Sequence, residues 1–111
     1  IQMLGAACGF IVSMGGRSAY HLGDTGLTTD LELVGRLHDL DAAMIPIGST
    51  FTMDLEDGIV AARMIGAKLN IPMHYDTFPV IQADPREFVR RLEAEGRAGR
   101  VLQPGEEIEL P

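Results

Sequence analysis

Two short apolar segments of the sequence run directly into residues that are able to bind a metal ion. Residues 20–23 (YHLG) precede Asp24, and residues 71–73 (IPM) precede His74. Each segment is typical of a buried strand, and functional residues gather where the strands of a rigid sheet end. Asp24 is therefore the candidate catalytic residue, and Asp24 and His74 are the candidate metal ligands. A catalytic zinc ion takes three protein ligands and a water, so we expect the rest of the site to lie outside these 111 residues.

These histidines and this aspartate also have ordinary structural interpretations. Asp24 lies in a Gly-Asp-Thr-Gly turn, where an aspartate commonly bonds to its own backbone. His74 is a single histidine at a strand end. His21 is typical of a core histidine bonded to a backbone carbonyl, or of a residue beside the metal ligands. His38, on a predicted helix, is interpreted as a solvated or packing residue.

The composition narrows the class of protein. A chain of 111 residues, 46% of them apolar, forms one compact domain or half of a larger one. The net charge of −7 argues against a nucleic-acid partner, because the phosphates would repel it. No apolar run approaches the roughly 20 residues of a membrane span, so no membrane partner is expected. Cys8 is the single cysteine, so no disulfide framework exists and a cytoplasmic location is expected.

Hydrophobic periodicity and turn residues predict the order of the elements. Strands are predicted over residues 8–14, 17–22, 42–47 and 68–73, with Gly15-Gly16 as a two-residue hairpin turn. Helices are predicted over residues 30–40, 54–67 and 84–95, with Leu31, Val34 and Leu37 on the buried face of the first. Asp54 is a predicted N-cap, and Pro85 fits a first helical turn. Residues 101–102 and 107–110 are predicted as short closing strands.

The alternation of strands and helices predicts an α/β (α+β) fold, in which a mixed sheet carries its helices on one face. Residues 1–111 are expected to form one unit without an internal linker. An open sheet is a liability that proteins usually cover. The uncovered face therefore indicates a partner layer that this chain does not supply.

At Asp24 and His74 the sequence resembles the C-terminal half of the metallo-β-lactamase superfamily, most closely a bacterial and archaeal family of metal-dependent hydrolases of unknown substrate. The matching stretches run in family order over nearly the whole chain: residues 9–12, 20–25, 46–48, 51–53, 56–57, 71–75, 77–79 and 84–85. The resemblance implies half of a four-layer αββα sandwich. The superfamily's His-x-His-x-Asp-His motif has no counterpart here, which implies that the N-terminal half is absent.

The resemblance also implies the roles of individual residues. Asp24 matches the bridging carboxylate, His74 matches the last metal-ligating histidine, and His21 matches a position near the site. Thr25 and Tyr75 are expected to orient those ligands. The implied cofactor is a divalent metal, with two ions in the complete site, and zinc, manganese and iron all suit oxygen and nitrogen ligands.

The implied activity is hydrolysis by an ion-activated water, with an ester, lactone, amide or phosphoester of a small molecule as substrate. The chain alone is expected to be inactive, and to need its N-terminal half or a second copy of itself as partner. The alternative hypothesis is a non-catalytic α/β subunit that serves as a binding or assembly surface.

Overall fold

The structure, a computed structural model, describes residues 2–3, 9–23, 30–47, 54–73, 84–103 and 105–111. These residues form five strands and three helices. The strands are β1 (Gln2–Met3), β2 (Phe10–Met14), β3 (Arg17–His21), β4 (Ala42–Pro46) and β5 (Leu69–Met73). The helices are α1 (Asp30–Leu37), α2 (Leu55–Ile65) and α3 (Pro85–Ala94).

The predicted hairpin is confirmed. Gly15 and Gly16 have φ values of 61° and 79°, the left-handed region that a two-residue hairpin turn requires and that glycine adopts without strain. The turn fixes an antiparallel register that runs from the Met14–Arg17 pair to the Phe10–His21 pair.

The five strands form one mixed sheet in the order β1-β2-β3-β4-β5. β3, β4 and β5 are parallel, and β1 to β3 are joined by antiparallel pairs. The parallel strands are joined by two crossover connections, β3–α1–β4 and β4–α2–β5, which step in the same direction across the sheet. Such connections are right-handed, so both place their helices on the same face of the sheet. Contacts of α2 with α1, α3 and β4 agree with a single helical layer. The predicted mixed sheet with helices on one face is confirmed.

The core lies between the sheet and this helical layer. Ile11, Tyr20, Ala43 and Ile45 point from the sheet into a cluster that includes Phe88 of α3. Because side chains alternate along a strand, their neighbours point to the opposite face. Of the apolar residues on that face, Phe10, Val12, Ala19, Met44 and Leu69 are half-buried, whereas Ala42 and Pro46 are buried. The sheet therefore has one face that is packed and one apolar face that is partly open.

Helix α1 differs from its prediction in length and in orientation. It ends at Leu37 and not at residue 40, and Leu37 is 68% exposed while Leu31 is 2% exposed. Each helical residue advances by 100°, so Leu37 lies about 120° away from Leu31. Gly35 occupies the packed stripe instead, where an added Cβ would lie 2.4 Å from the Ile65 carbonyl oxygen.

The other two helices begin as the sequence predicts. Asp54 Oδ1 accepts a hydrogen bond of 2.8 Å from the Asp57 amide and caps α2, and Asp84 Oδ1 accepts one of 2.9 Å from the Arg86 amide and caps α3. Helix α2 ends at Ile65, two residues before the predicted end, because Gly66 adopts a left-handed C-cap with φ 68°.

The predicted closing strands are wrong. Residues 101–103 and 105–111 form no strand. The free edge of β5 is instead paired at Asn70, whose amide donates to the Ala98 oxygen at 3.0 Å and whose oxygen accepts from the Arg100 amide at 3.0 Å. Residues 98–100 therefore occupy the edge before the predicted strands begin. None of the helices in the described ranges is long and apolar enough to cross a membrane.

Candidate metal site at the carboxyl edge of the sheet

The parallel strands β3, β4 and β5 end at one edge of the sheet, here called the carboxyl edge. The Leu22 amide donates to the Met44 oxygen at 3.2 Å, and the Ile47 amide donates to the Met73 oxygen at 3.1 Å. These bonds carry the pairing beyond the last residue of β3 and of β4. The ends of β3 and β5 are thus both tied to β4, and neighbouring strands lie about 4.8 Å apart.

Four of the five predicted site residues, Asp24, Thr25, His74 and Tyr75, lie outside the described residues. The structure does describe the residues that directly precede them, Gly23 before Asp24 and Met73 before His74. Gly23 has a φ of 69°, a conformation that favours glycine. One strand separates β3 from β5, so the chain reaches positions 23 and 73 roughly 10 Å apart at the same edge.

His21, the fifth predicted residue, is half-buried at the end of β3. Its Nδ1 accepts a hydrogen bond of 3.1 Å from the Gly23 amide. An acceptor nitrogen carries no proton, so the proton of the neutral ring is on Nε2. The same bond occupies the Nδ1 lone pair, and His21 could therefore bind a metal only through Nε2.

Phe10 is a residue beside the site that the sequence interpretation missed. Its ring stacks on the His21 imidazole with centroids 5.2 Å apart and planes 2° apart. The sequence does contain the signal for this pair. A two-residue turn at Gly15-Gly16 pairs residues whose numbers sum to 31, and this register places Phe10 opposite His21.

The remaining candidate residues do not add ligands to the described part of the site. His38 follows α1 and is half-buried, and its amide donates to the Val34 oxygen at 3.1 Å. Cys8 lies outside the described residues. Within the described ranges, no three His, Cys, Asp or Glu side chains are grouped so that they could hold a metal ion.

Asp41, a carboxylate at the opposite, amino edge of the same strands, has a structural role. Its Oδ2 accepts from the Ser18 amide at 2.8 Å, and its Oδ1 accepts from Lys68 Nζ at 3.1 Å. Its own amide donates to the Ser18 oxygen at 2.8 Å. The Ser18 amide, followed by the Lys68 ammonium, lowers the pKa of the Asp41 carboxyl. The acceptor oxygens are committed to neighbouring strands, so Asp41 is not a candidate ligand.

The comparison with known families decides the assignment of the chain. A model of the β-lactamase superfamily domain matches residues 2–75, which is more than half of the sequence. The chain belongs to the metallo-β-lactamase superfamily. Its mixed sheet with a single helical layer agrees with half of the superfamily's αββα sandwich.

Members of the superfamily that resemble this chain are named as hydrolases. A UPF0173 metal-dependent hydrolase of Pelotomaculum thermopropionicum is 48% identical over 111 residues, which are 99% of this chain and 49% of that protein. One of Geobacillus thermodenitrificans is 50% identical over 110 residues, which are 99% of this chain and 48% of that protein. The chain thus spans about half the length of the curated relatives that it matches.

A solved structure agrees with both the family and the fold. Igni18, a metallo hydrolase of the hyperthermophilic archaeon Ignicoccus hospitalis, is 40% identical and superposes with a TM-score of 0.84. The match covers 90% of this chain and 44% of Igni18. Relatives of this chain in two bacteria and in one archaeon are therefore all named as metal-dependent or metallo hydrolases.

Proposed function

We propose that this chain supplies part of the metal centre of a metal-dependent hydrolase of the metallo-β-lactamase superfamily. The observation that carries the proposal is the common edge at which β3 and β5 end. β3 ends at His21, three residues before Asp24, and β5 ends at Met73, directly before His74. Carboxylate and imidazole groups that leave one edge from strands two apart are within reach of a shared two-ion centre, whose ions lie roughly 3.5–4 Å apart.

Each residue of the proposed centre has a separate task. The Asp24 carboxylate would bridge two ions or hold one of them, and a ring nitrogen of His74 would hold the second. Thr25 and Tyr75 would orient these two ligands by hydrogen bonds. Bound divalent ions supply two effects, a lower pKa for a coordinated water and polarisation of the bond to be cleaved. Oxygen and nitrogen donors without thiolate fit zinc first, and manganese or iron as alternatives.

The proposed centre is incomplete within this chain. Asp24 and His74 offer one or two bonds to each ion, whereas a catalytic zinc ion takes three protein ligands. The relatives are about twice as long as the matched segment, which covers 49% of the Pelotomaculum hydrolase. We therefore assign residues 1–111 to the C-terminal part of the domain, and the remaining ligands to an N-terminal half.

The half-open face of the sheet supports the N-terminal half as the partner of this chain. Phe10, Val12, Ala19, Met44 and Leu69 form an apolar surface opposite the helical layer. Burial of apolar surface contributes about 25 cal/mol per Å², so this face favours a partner layer. The N-terminal half is the proposed partner, and a second copy of the chain is the competing one.

The proposed substrate is a small molecule with an ester, lactone, amide or phosphoester bond. The net charge of −7 disfavours nucleic acid, because phosphate groups would be repelled. A cytoplasmic location, expected from the single Cys8, is part of the proposal.

The test is a calorimetric titration of Zn²⁺ and Mn²⁺ into the 111-residue chain, alone and mixed with the N-terminal half of the Geobacillus relative. The chain alone should bind metal weakly and hydrolyse neither an ester nor a phosphodiester. The mixture should bind two ions and hydrolyse one of the substrates. Tight binding of two ions with turnover by the chain alone would contradict the proposal.

The apolar face favours one alternative function, a non-catalytic subunit that contributes only an assembly surface. Both functions predict that the N-terminal half binds to this chain. Only the hydrolase predicts that Asp24→Asn abolishes the binding of one metal ion by the resulting complex. Retention of full metal affinity in that variant would support the alternative.

A further inference from the structure

The end of β3 is held from one side by an aromatic stack. The Phe10 ring and the His21 imidazole are parallel within 2° at a centroid distance of 5.2 Å. They belong to directly opposite residues of an antiparallel pair, and both lie on the face away from the helices. Stacked rings restrict each other's rotation, so Phe10 fixes the plane in which the His21 nitrogens lie.

The oriented imidazole in turn holds the turn that follows β3. His21 Nδ1 accepts the amide hydrogen of Gly23 at 3.1 Å, two residues further along the chain. Gly23 has a left-handed φ of 69° and directly precedes Asp24. A local side-chain bond of this kind competes with other backbone conformations, and here it favours the one that leads into position 24.

A close backbone approach holds the same segment from the start of β2. A Cβ added to Gly9 would lie 1.6 Å from the His21 oxygen and 2.6 Å from the His21 carbonyl carbon. These are backbone atoms, so any side chain at position 9 would displace the end of β3. On the other side, the Leu22 amide is bonded to Met44 of β4 at 3.2 Å.

We propose that Phe10, His21 and Gly9 are positioning residues that together set the direction in which the chain enters Asp24. His21 acts through Nδ1 on the Gly23 amide, Phe10 acts through the orientation of His21, and Gly9 acts through the backbone spacing. The inference rests on the proposed metal centre, since the residue that it positions is the bridging carboxylate of that centre. Residues that orient a metal ligand change the metal affinity without contacting the ion themselves.

Two isosteric substitutions separate this role from direct ligation. Asn places its amide oxygen close to the position of Nδ1, whereas Gln places its amide close to the position of Nε2. His21→Asn should therefore retain the bond to the Gly23 amide, and His21→Gln and His21→Ala should lose it. A ligand acting through Nε2 would show the reverse order.

The first measurement needs no metal. Amide hydrogen exchange of Gly23 is followed by NMR in the 111-residue chain and its variants. Exchange should be about fivefold faster in His21→Ala and His21→Gln, as expected for the loss of one hydrogen bond, and close to the parent rate in His21→Asn. Parent-like exchange in His21→Gln, or loss of protection in His21→Asn, would overturn the role of Nδ1.

The second measurement is the affinity for Zn²⁺ of the chain combined with the N-terminal half of the Geobacillus relative. Phe10→Leu and His21→Ala should each weaken Zn²⁺ binding about 10-fold, the lower end of the range for residues that orient a metal ligand. Gly9→Ala should weaken it as well. Ser13→Ala is the matched control, because Ser13 lies on β2 but is exposed and belongs to the other face of the sheet, opposite Ser18, and it should leave the affinity unchanged.

Asp24→Asn distinguishes failure of this inference from failure of the proposed function. If Asp24→Asn abolishes the binding of one Zn²⁺ ion while Phe10→Leu and His21→Ala leave Zn²⁺ affinity unchanged, the positioning role is wrong and the metal centre stands. If Asp24→Asn leaves Zn²⁺ binding unchanged, the proposed centre is wrong, and the positioning role with it. Loss in all three variants, with unchanged Gly23 exchange in Asp24→Asn, supports both.

Discussion

The parallel strands β3, β4 and β5 have acidic residues near both of their ends, but the two edges use them differently. At the amino edge, Asp41 is bonded to the Ser18 amide of β3 and to Lys68, the residue before β5. At the carboxyl edge, two described acids, Asp54 and Asp84, cap helices that begin there. The carboxylate proposed for chemistry, Asp24, follows a glycine turn at that edge.

The difference shows what separates a structural carboxylate from a candidate ligand. Asp41 is 7% exposed, and both of its oxygens accept bonds from groups that the sheet itself presents. A buried carboxylate that is satisfied in this way stabilises strand pairing, because removal of it would leave a buried amide without its partner. A ligand must keep its oxygens available to the ion. Asp24 follows Leu22, whose amide makes the last described bond from this segment to β4.

The largest expected effect is on metal binding, and it contrasts the two edges directly. In the complex of the chain with an N-terminal half, Asp24→Asn should abolish the binding of one ion, because a neutral amide replaces the carboxylate that we propose as a bridging ligand. Asp41→Asn should leave metal affinity unchanged and lower only the stability of the fold. Zinc titration together with thermal unfolding of both variants checks this. Equal losses of metal affinity would contradict the distinction between the edges.

The next prediction concerns the glycines at which helices pack closely near each edge. Near the amino edge, a Cβ at Gly35 would lie 2.4 Å from the Ile65 oxygen and 2.7 Å from the Met64 oxygen, which are backbone atoms. Near the carboxyl edge, a Cβ at Gly58 would lie 2.7 Å from Ile47 Cγ2 and 3.1 Å from Phe88 Cε1, which are side-chain atoms. The backbone cannot adjust as readily as a methyl group or a ring.

Gly35→Ala should therefore lower the free energy of unfolding by about 3 kcal/mol, at the upper end of the usual range for overpacking. Gly58→Ala should lower it by about 1 kcal/mol, since the gain in helix propensity offsets part of the strain. Urea unfolding measures both. Arg36→Ala on the exposed side of α1 is the control and should change stability by less than about 0.5 kcal/mol. A larger loss for Gly58→Ala than for Gly35→Ala would reverse the comparison.

Local signals in the sequence predicted the hairpin, the caps and the order of elements, because each depends on a few neighbouring residues. Gly15-Gly16, Asp54 and Pro85 act within one turn of chain. The structure contradicted the prediction where tertiary packing decides. Leu37 repeats at a spacing of three from Val34, but Gly35 is the residue that packs against α2.

The role of Asp41 could not be predicted from local patterns, since its partners Ser18 and Lys68 lie 23 and 27 residues away. The Phe10–His21 stack is also a long-range pair, but the two-residue turn fixes its register, so it was predictable. The sequence predicts Asp24 and His74 as site residues because each follows an apolar segment that is typical of a strand. The structure brings the described neighbours of Asp24 and His74 to one edge, and the positions of those two side chains remain a prediction.

A smaller effect is expected in the pH dependence of stability. The pKa of Asp41 in the folded protein lies below its ordinary value of 3.8. The charged carboxylate therefore stabilises the fold above that value, and this stabilisation is lost as the pH falls through the folded-state pKa. Asp41→Asn should remove part of the loss of stability between pH 4 and more acidic conditions. Denaturant unfolding over this acid range checks it, and Ser13→Ala, a substitution of an exposed residue that does not titrate, should leave the profile unchanged.

The smallest effect is predicted for Asp54, whose cap lies at the carboxyl edge without belonging to the proposed centre. Asp54→Ala removes the bond from Oδ1 to the Asp57 amide and should lower the free energy of unfolding by about 1 kcal/mol, whereas Asp54→Ser should retain most of it. Neither variant should change Zn²⁺ affinity, because the carboxylate is engaged with the first turn of α2. A loss of metal binding in Asp54→Ala that Asp54→Ser does not restore would instead make Asp54 a ligand at this edge.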